Sequence, residues 1–180
     1  MIGESASFLE MQEHISHVAP LNKPVLFVGE RGTGKELVAA RLHYLSQRWE
    51  QTFLKINCAA MSETLLEAQL FGHEAGAYTG ATKQRKGFFE RAHGGTLFMD
   101  ELANTPMPVQ EKILRVIEYG EFERLGGNET LHVDVRIVGA TNEDLPDLTS
   151  QGRFREDLLD RLAFDVVTLP PLRERAEDIL

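Results

Sequence analysis

Short unbroken apolar runs alternate along this chain with stretches whose apolar residues recur every three or four positions. The runs have the length of buried strands, and the recurrences mark one face of a helix. Val25-Leu26-Phe27-Val28 is the first run, entered at Pro24 and closed by Gly29. Lys35 to Gln47 follows, with Leu37, Val38, Leu42 and Leu45 at helical spacing. Phe53 to Asn57 reads as a second strand, and Ser62 is placed to cap a helix running to Phe71. Thr96 to Met99 is a third strand, closed by Asp100-Glu101. A helix is predicted from Val109 to Tyr119, with Ile113, Leu114 and Ile117 on one face. A fourth strand, Val135 to Ala140, a short helix, Phe154 to Leu162, and a fifth strand, Phe164 to Leu169, complete the series. This order predicts an α/β fold with a central parallel five-stranded sheet flanked by helices.

Two stretches break the alternation. Gly72 to Gly87 holds four glycines, and Gly120 to Leu131 has Gly126-Gly127 at its middle. Both read as inserted loops, and long loops within a compact domain are often functional. Pro170-Pro171 ends the last strand, and Arg173 to Leu180 reads as a helix that has only begun. The chain is therefore expected to be one domain over residues 1–180, cut before further structure.

Composition narrows the picture. Hydrophobic residues make up 42% of the 180, enough to bury a core. The balance of 19 cations against 28 carboxylates is 19 − 28 = −9, which repels nucleic-acid phosphates. Any such contact needs a local basic surface or another domain. A lone cysteine, Cys58, excludes an internal disulfide and suits a reducing compartment. No basic-then-apolar leader and no membrane-length run is present, so a cytoplasmic location is expected. His14 and His17 share a helix face and are expected to have no acidic or Cys companions, and the six histidines show no metal-ligand cluster. Trp49 lies in the polar stretch Arg48 to Gln51 and reads either as a partner contact or as half-buried packing.

Gly29-Glu30-Arg31-Gly32-Thr33-Gly34-Lys35 matches G-x-x-x-x-G-K. Glycines let backbone N–H groups turn inward onto phosphate oxygens, the next helix presents its positive end, and Lys35 can reach the outer phosphates. Such a string arises by chance in about one chain in twenty of this length, so its position between a strand and a helix carries the assignment. Glu36 stands where a Mg2+-binding Ser or Thr is usual, which shifts the metal to other ligands. Asp100 is placed to hold Mg2+, and Glu101 to act as general base on water. The alternative for this pair is a helix N-cap. Asn142, after Thr141 at the end of the fourth strand, is placed to orient water or touch the γ-phosphate. Asn57 could hydrogen-bond Glu101 and hold it back. Arg155 and Arg161, six apart, do not share a helix face and could serve different partners.

Together these residues resemble the AAA+ core of bacterial enhancer-binding proteins, the ATP-driven activators of sigma-54 RNA polymerase. The most specific motif is Gly76-Ala77-Tyr78-Thr79-Gly80-Ala81, where the family signature G-A-F-T-G-A has Phe in place of Tyr78. The likeness runs through Gly29–Glu36, Asn57-Cys58-Ala59-Ala60, Leu70-Phe71-Gly72-His73-Glu74, Gly94-Gly95-Thr96-Leu97-Phe98, Ala140-Thr141-Asn142, Phe154-Arg155 and Leu169 to Arg175. It is strongest toward the phage-shock branch of the family.

By position, the resemblance implies that Lys35, Asp100 and Glu101 are Walker residues, Asn142 is sensor I and Asn57 restrains Glu101. It extends nucleotide binding over Ala92-His93-Gly94-Gly95-Thr96-Leu97-Phe98-Met99 into Asp100-Glu101. Arg155 and Arg161 become fingers acting in trans, which implies a ring, commonly a hexamer. Gly76 to Ala81 would contact the sigma factor, with Gly120 to Leu131 as a second pore-facing loop. A helical lid and a helix-turn-helix for enhancer DNA would lie beyond Leu180, and an inhibitory regulator would act in trans. Two alternatives stay open: another AAA+ remodelling ATPase, and a non-hydrolysing ATP-gated interaction module.

Overall fold

The computed structural model describes residues 3–178, apart from the side chain of Glu177. Five strands form one parallel sheet: β1 Val25–Val28, β2 Phe53–Asn57, β3 Thr96–Asp100, β6 Arg136–Thr141 and β7 Val166–Thr168, in the order β2-β3-β6-β1-β7. Helices α1 Ala6–Val18 and α2 Lys35–Tyr44 contribute to one apolar cluster. Helices α3 Glu63–Phe71, α4 Phe88–Arg91, α5 Met107–Tyr119, α6 Leu145–Ser150 and α7 Glu156–Leu162 contribute to the other.

The strands read as continuous apolar runs because both faces are covered. Along β1, Val25 and Phe27 join α1 and α2, while Leu26 joins the opposite cluster. Along β3, Leu97 and Met99 face one way and Phe98 the other. Arg136, at the start of β6, is buried at 3% exposure and donates to the carbonyls of Val18, Ala19 and Lys23. It thereby satisfies acceptors that α1 leaves free at its C-terminal end. Burial, reinforced by the charge of Arg48, lowers its pKa to about 10.

Several sequence expectations change here. α2 stops at Tyr44, not Gln47, because the Ser46 hydroxyl donates to the His43 carbonyl and accepts from the Arg48 N–H. Ser62 occupies the N-cap of α3 without a side-chain cap bond. Gly120 to Leu131 is not plain loop: β4 Glu121–Glu123 pairs antiparallel with β5 Thr130–His132, which runs one residue past it. The helix expected from Arg173 is absent over the described residues, which form two 3-10 turns, Leu172–Glu174 and Ala176–Asp178. Asp178 accepts from the N–H groups of Glu4 and Ser5 and from the Ser5 hydroxyl, which ties this segment to the start of α1. Residues 179–180 of that expected helix lie outside the described residues.

Candidate functional site

The sheet register decides what meets at its C-terminal edge. Asn57 pairs with Asp100, and Val28 pairs with Thr141. Gly29 leaves β1 with its N–H on the Thr141 carbonyl at 3.1 Å. Asp100-Glu101, Asn142 and the loop from Gly29 therefore stand along one edge, where open α/β sheets bind ligands.

The loop is an open cradle. Gly32 and Gly34 have φ of 82° and 89°, with no atom near where a Cβ would sit, so backbone conformation alone demands glycine. Among the described residues, the N–H groups of Gly32, Gly34, Lys35 and Glu36 find no acceptor. They stand at the N-terminus of the ten-residue α2, whose dipole favours an anion. Lys35 is buried and donates from Nζ to the carbonyls of Gly29 and Glu30, each at 2.9 Å. Thr33 braces the turn through Oγ1 on the Glu30 carbonyl at 2.8 Å. Arg173 closes on the Glu30 carboxylate with two bonds of 2.6 Å, which holds that carboxyl below its ordinary pKa. A cleft of about 600 Å³ lies beside this pair, between α1 and the end of β7.

Asp100 is half-buried and accepts the Glu101 N–H on Oδ1 at 2.9 Å. Glu101 is the one non-glycine residue with positive φ among those described, at 53°. That conformation costs about 1 kcal/mol and aims the side chain at the phosphate loop. Its carboxylate, 14% exposed, faces Arg31 Nε at 3.4 Å. The expected Asn57–Glu101 bond is not made: Asn57 Oδ1 accepts the Ala59 N–H at 2.9 Å, a local turn that competes for the amide. Glu36 is paired with Lys55 and does not turn into the cradle. Asn142 is exposed beside the start of the loop.

Of the predicted nucleotide segment, only its end reaches this edge. Leu97, Phe98 and Met99 fill the core, and Thr96 Oγ1 contacts the buried ring of His43 at 2.9 Å. Ala92, His93, Gly94 and Gly95 precede β3 at the opposite end of the sheet. There Gly94 N–H reaches the Asp134 carbonyl at 2.7 Å, and a Cβ on Gly95 would lie 2.0 Å from the Thr52 carbonyl oxygen. These four residues are packing elements of that edge. Arg155 is held by Asp157 at 2.8 and 3.0 Å, and Arg161 by Glu118 at 3.1 Å. The two arginines thus take different partners, as their spacing implied.

The first inserted loop is closed by Gly76 N–H on the Ala81 carbonyl at 2.7 Å. Tyr78 lies edge-on against the His73 ring at 5.1 Å, and Thr79 is exposed. The two insertions touch: a Cβ on Gly126 would stand 2.7 Å from that of Ala77. Arg124, before β5, donates Nε and Nη2 to Glu90 at 2.8 and 2.7 Å and Nη1 to Glu74 at 2.9 Å. Hydrogen bonding to Glu90 raises its pKa, and hydrogen bonding to Arg124 lowers that of Glu74. This three-way pairing was missed in the sequence.

His14 does have an acidic companion, since Asp165 Oδ1 lies 2.7 Å from its Nε2, brought there by the approach to β7. Trp49 is 53% exposed and meets Tyr44 edge-on at 6.2 Å. Among the described residues no cluster of three metal-ligating side chains exists, so a divalent cation would rest on Asp100, water and phosphate oxygens. No described helix is long and apolar enough to cross a membrane.

The Sigma-54 interaction domain family matches residues 1–168. The Psp operon transcriptional activator of Escherichia coli (strain K12) is 67% identical over all 180 residues, which span 55% of that protein. The Nif-specific regulatory protein of Azotobacter vinelandii is 53% identical over 99% of this chain and 34% of its own length. The chain thus spans about half or less of the curated relatives it matches. NtrX from Brucella abortus, solved with ADP, superposes with a TM-score of 0.93 at 39% identity, over 99% of this chain and 39% of that one. The same protein with ATP gives 0.91 at 39% identity, over 99% and 40%. Its fold is that of the P-loop NTPase domains, and the chain belongs to the Sigma-54 interaction domain family.

Proposed function

We propose that this chain is the ATP-hydrolysing core of a transcriptional activator that remodels sigma-54 RNA polymerase toward the open complex. The observation that carries this reading is the convergence of the open phosphate cradle, Asp100-Glu101 and Asn142 on one sheet edge, with the Gly76–Ala81 loop as a separate output. Lys35 and the free N–H groups hold the β- and γ-phosphates. Mg2+, held by Asp100, would neutralise phosphate charge. Glu101 takes a proton from water as the water oxygen bonds to the γ-phosphorus and the bond to the bridging oxygen breaks, leaving ADP and phosphate. Asn142 orients that water. Tyr78 and Thr79 contact the sigma factor.

Arg155 and Arg161 act on a neighbouring copy, which makes the working form a ring, commonly a hexamer. The relatives are longer than this segment, which leaves room for the lid and the enhancer-binding domain of this reading; an inhibitory protein in trans and a cytoplasmic location belong to the same proposal. The test measures ATP turnover, capture of sigma-54 polymerase with a trapped-nucleotide analogue, and open-complex formation. Glu101→Ala is expected to abolish turnover. Thr79→Ala is expected to keep turnover and lose activation. Normal open-complex formation by Thr79→Ala would sink the output assignment, and unaltered turnover in Glu101→Ala the catalytic one.

A further inference from the structure

A chain of net charge −9 is a poor partner for nucleic acid, yet one segment runs against that balance. From Glu74 to Arg91 there are four cations, Lys83, Arg85, Lys86 and Arg91, against two carboxylates, Glu74 and Glu90, a balance of 4 − 2 = +2. The remainder carries −9 − 2 = −11. Both local carboxylates are already used. Arg124 bonds to both, and the Gln84 amide donates to both oxygens of Glu74 at 3.1 and 2.9 Å. Arg91 lies over the Phe88 ring at 4.9 Å. Lys83, Arg85 and Lys86 are exposed, and among the described residues none of them pairs with a carboxylate.

The strip stands on a firm base. Arg85 and His73 exchange both backbone hydrogen bonds, at 3.0 and 2.9 Å. Gly87 packs so tightly that a Cβ would lie 2.3 Å from the Gly72 nitrogen. The cations therefore sit at the foot of the Gly76–Ala81 loop, with the exposed hydroxyls of Thr79 and Thr82 beside them. No side chain from Thr82 to Lys86 is apolar. Protein interfaces depend on buried aromatic or apolar anchors, which this strip lacks. Unpaired cations and hydroxyls without an anchor suit phosphates, whose contacts position a duplex without reading its sequence.

We propose that Lys83, Arg85 and Lys86 bind the phosphate backbone of DNA, holding the promoter beside the loop that engages the sigma factor. The inference rests on the function proposed above for the presence of DNA, but the contact itself needs no hydrolysis. The test compares the parent protein, the triple variant Lys83→Gln/Arg85→Gln/Lys86→Gln and the control Lys23→Gln. Each is titrated by fluorescence anisotropy against a labelled promoter duplex without enhancer sequence, over a range of KCl. ATP turnover, sedimentation and capture of sigma-54 polymerase are measured on the same samples.

The triple variant is expected to bind tenfold or more weakly at low salt, with a salt slope reduced by about 2 to 3, since each lost phosphate contact removes ~0.9. Its turnover and assembly stay at parental values, and Lys23→Gln behaves as the parent. An unchanged slope and affinity would overturn the proposal. So would weaker binding that tracks a smaller sedimenting species, which would assign the strip to an acidic surface of a second copy. If the parent captures no sigma-54 polymerase while the slope difference persists, the functional reading fails and the DNA contact stands.

Discussion

Replacing Arg124 with Gln tests how much one side chain adds to the coupling of the two inserted loops, which the Glu74 N–H on the Leu125 carbonyl at 3.0 Å and the Leu125 N–H on the Gly72 carbonyl at 2.9 Å also join. The guanidinium is 10% exposed and makes two bonds to Glu90, itself 12% exposed, and one to Glu74, 30% exposed. Breaking a fully buried pair costs about 3–5 kcal/mol because a charge is stranded. A surface pair is worth about 0–1 kcal/mol. The Glu90 half approaches the first case and the Glu74 half the second, so a loss of roughly 2–3 kcal/mol is expected, most of it through Glu90. The damage should be local, since the segments released are the foot of the first loop, α4 and the β4–β5 hairpin. Urea unfolding reports the global part, and limited proteolysis between Gly72 and Gly87 reports the local part. The Glu74 carboxyl is held below its ordinary 4.5, so its contribution is complete above that pH and is lost as pH falls through the depressed value. A variant within ~0.5 kcal/mol of the parent, with an unchanged cleavage pattern, would refute a part for Arg124 in the coupling.

Three further outcomes are expected. Gly126→Ala combines a φ of 73° with a Cβ 2.7 Å from that of Ala77, so it should cost about 1–2 kcal/mol and raise protease cleavage in the first loop, read by mass spectrometry of early fragments. His43 is buried against Thr96, and burial depresses its pKa below 6.5, so the unfolded chain binds more protons in that window. Stability from His43 is present above about pH 6.5 and lost as pH falls through the folded value; urea midpoints against pH should show this, and His43→Gln should flatten it. Cys58 is 2% exposed, with its thiol pushed up to about 12 by burial, so Ellman's reagent should find no thiol in the native protein and one after unfolding.

The residues at the sheet edge were legible because each lies at the end of an apolar run, and strand ends are what a sequence pattern marks best. α1 was legible beyond the shared face of His14 and His17: Phe8, Met11, Ile15 and Val18 recur at helical spacing and all are buried. α4 and α6, at four and six residues, are too short for periodicity to speak. β4 and β5 are three residues each, with one apolar residue in the middle, a weak signal beside the glycine pair. Arg124 could not be read at all, because its partners come from segments that only the folded chain brings together. The same holds for Asp165 beside His14, and for Asn57, whose local turn wins over the longer reach to Glu101.

The placement of the arginines bears on the proposal that they act on a neighbouring copy. Arg161 shares a cleft with Lys23 and Pro24, which lead into β1, whereas the phosphate cradle leaves from the other end of that strand. Four residues of strand put about 13 Å between the two ends, beyond what the side chain can cross through a packed sheet. Arg161 therefore cannot reach the phosphate cradle of its own chain. It is 60% exposed, and its bond to Glu118 is a surface pair of about 0–1 kcal/mol, which exchange for a phosphate easily exceeds. Arg155 is in a similar state, held by Asp157 and by Glu111 at 3.7 Å. Two weakly held arginines at the two ends of α7, and an open phosphate cradle carrying Lys35 and Arg31, are the parts that the proposed contact between copies would bring together. In the ring proposed above the two would meet head to tail between copies, a heterologous contact of the kind that can close.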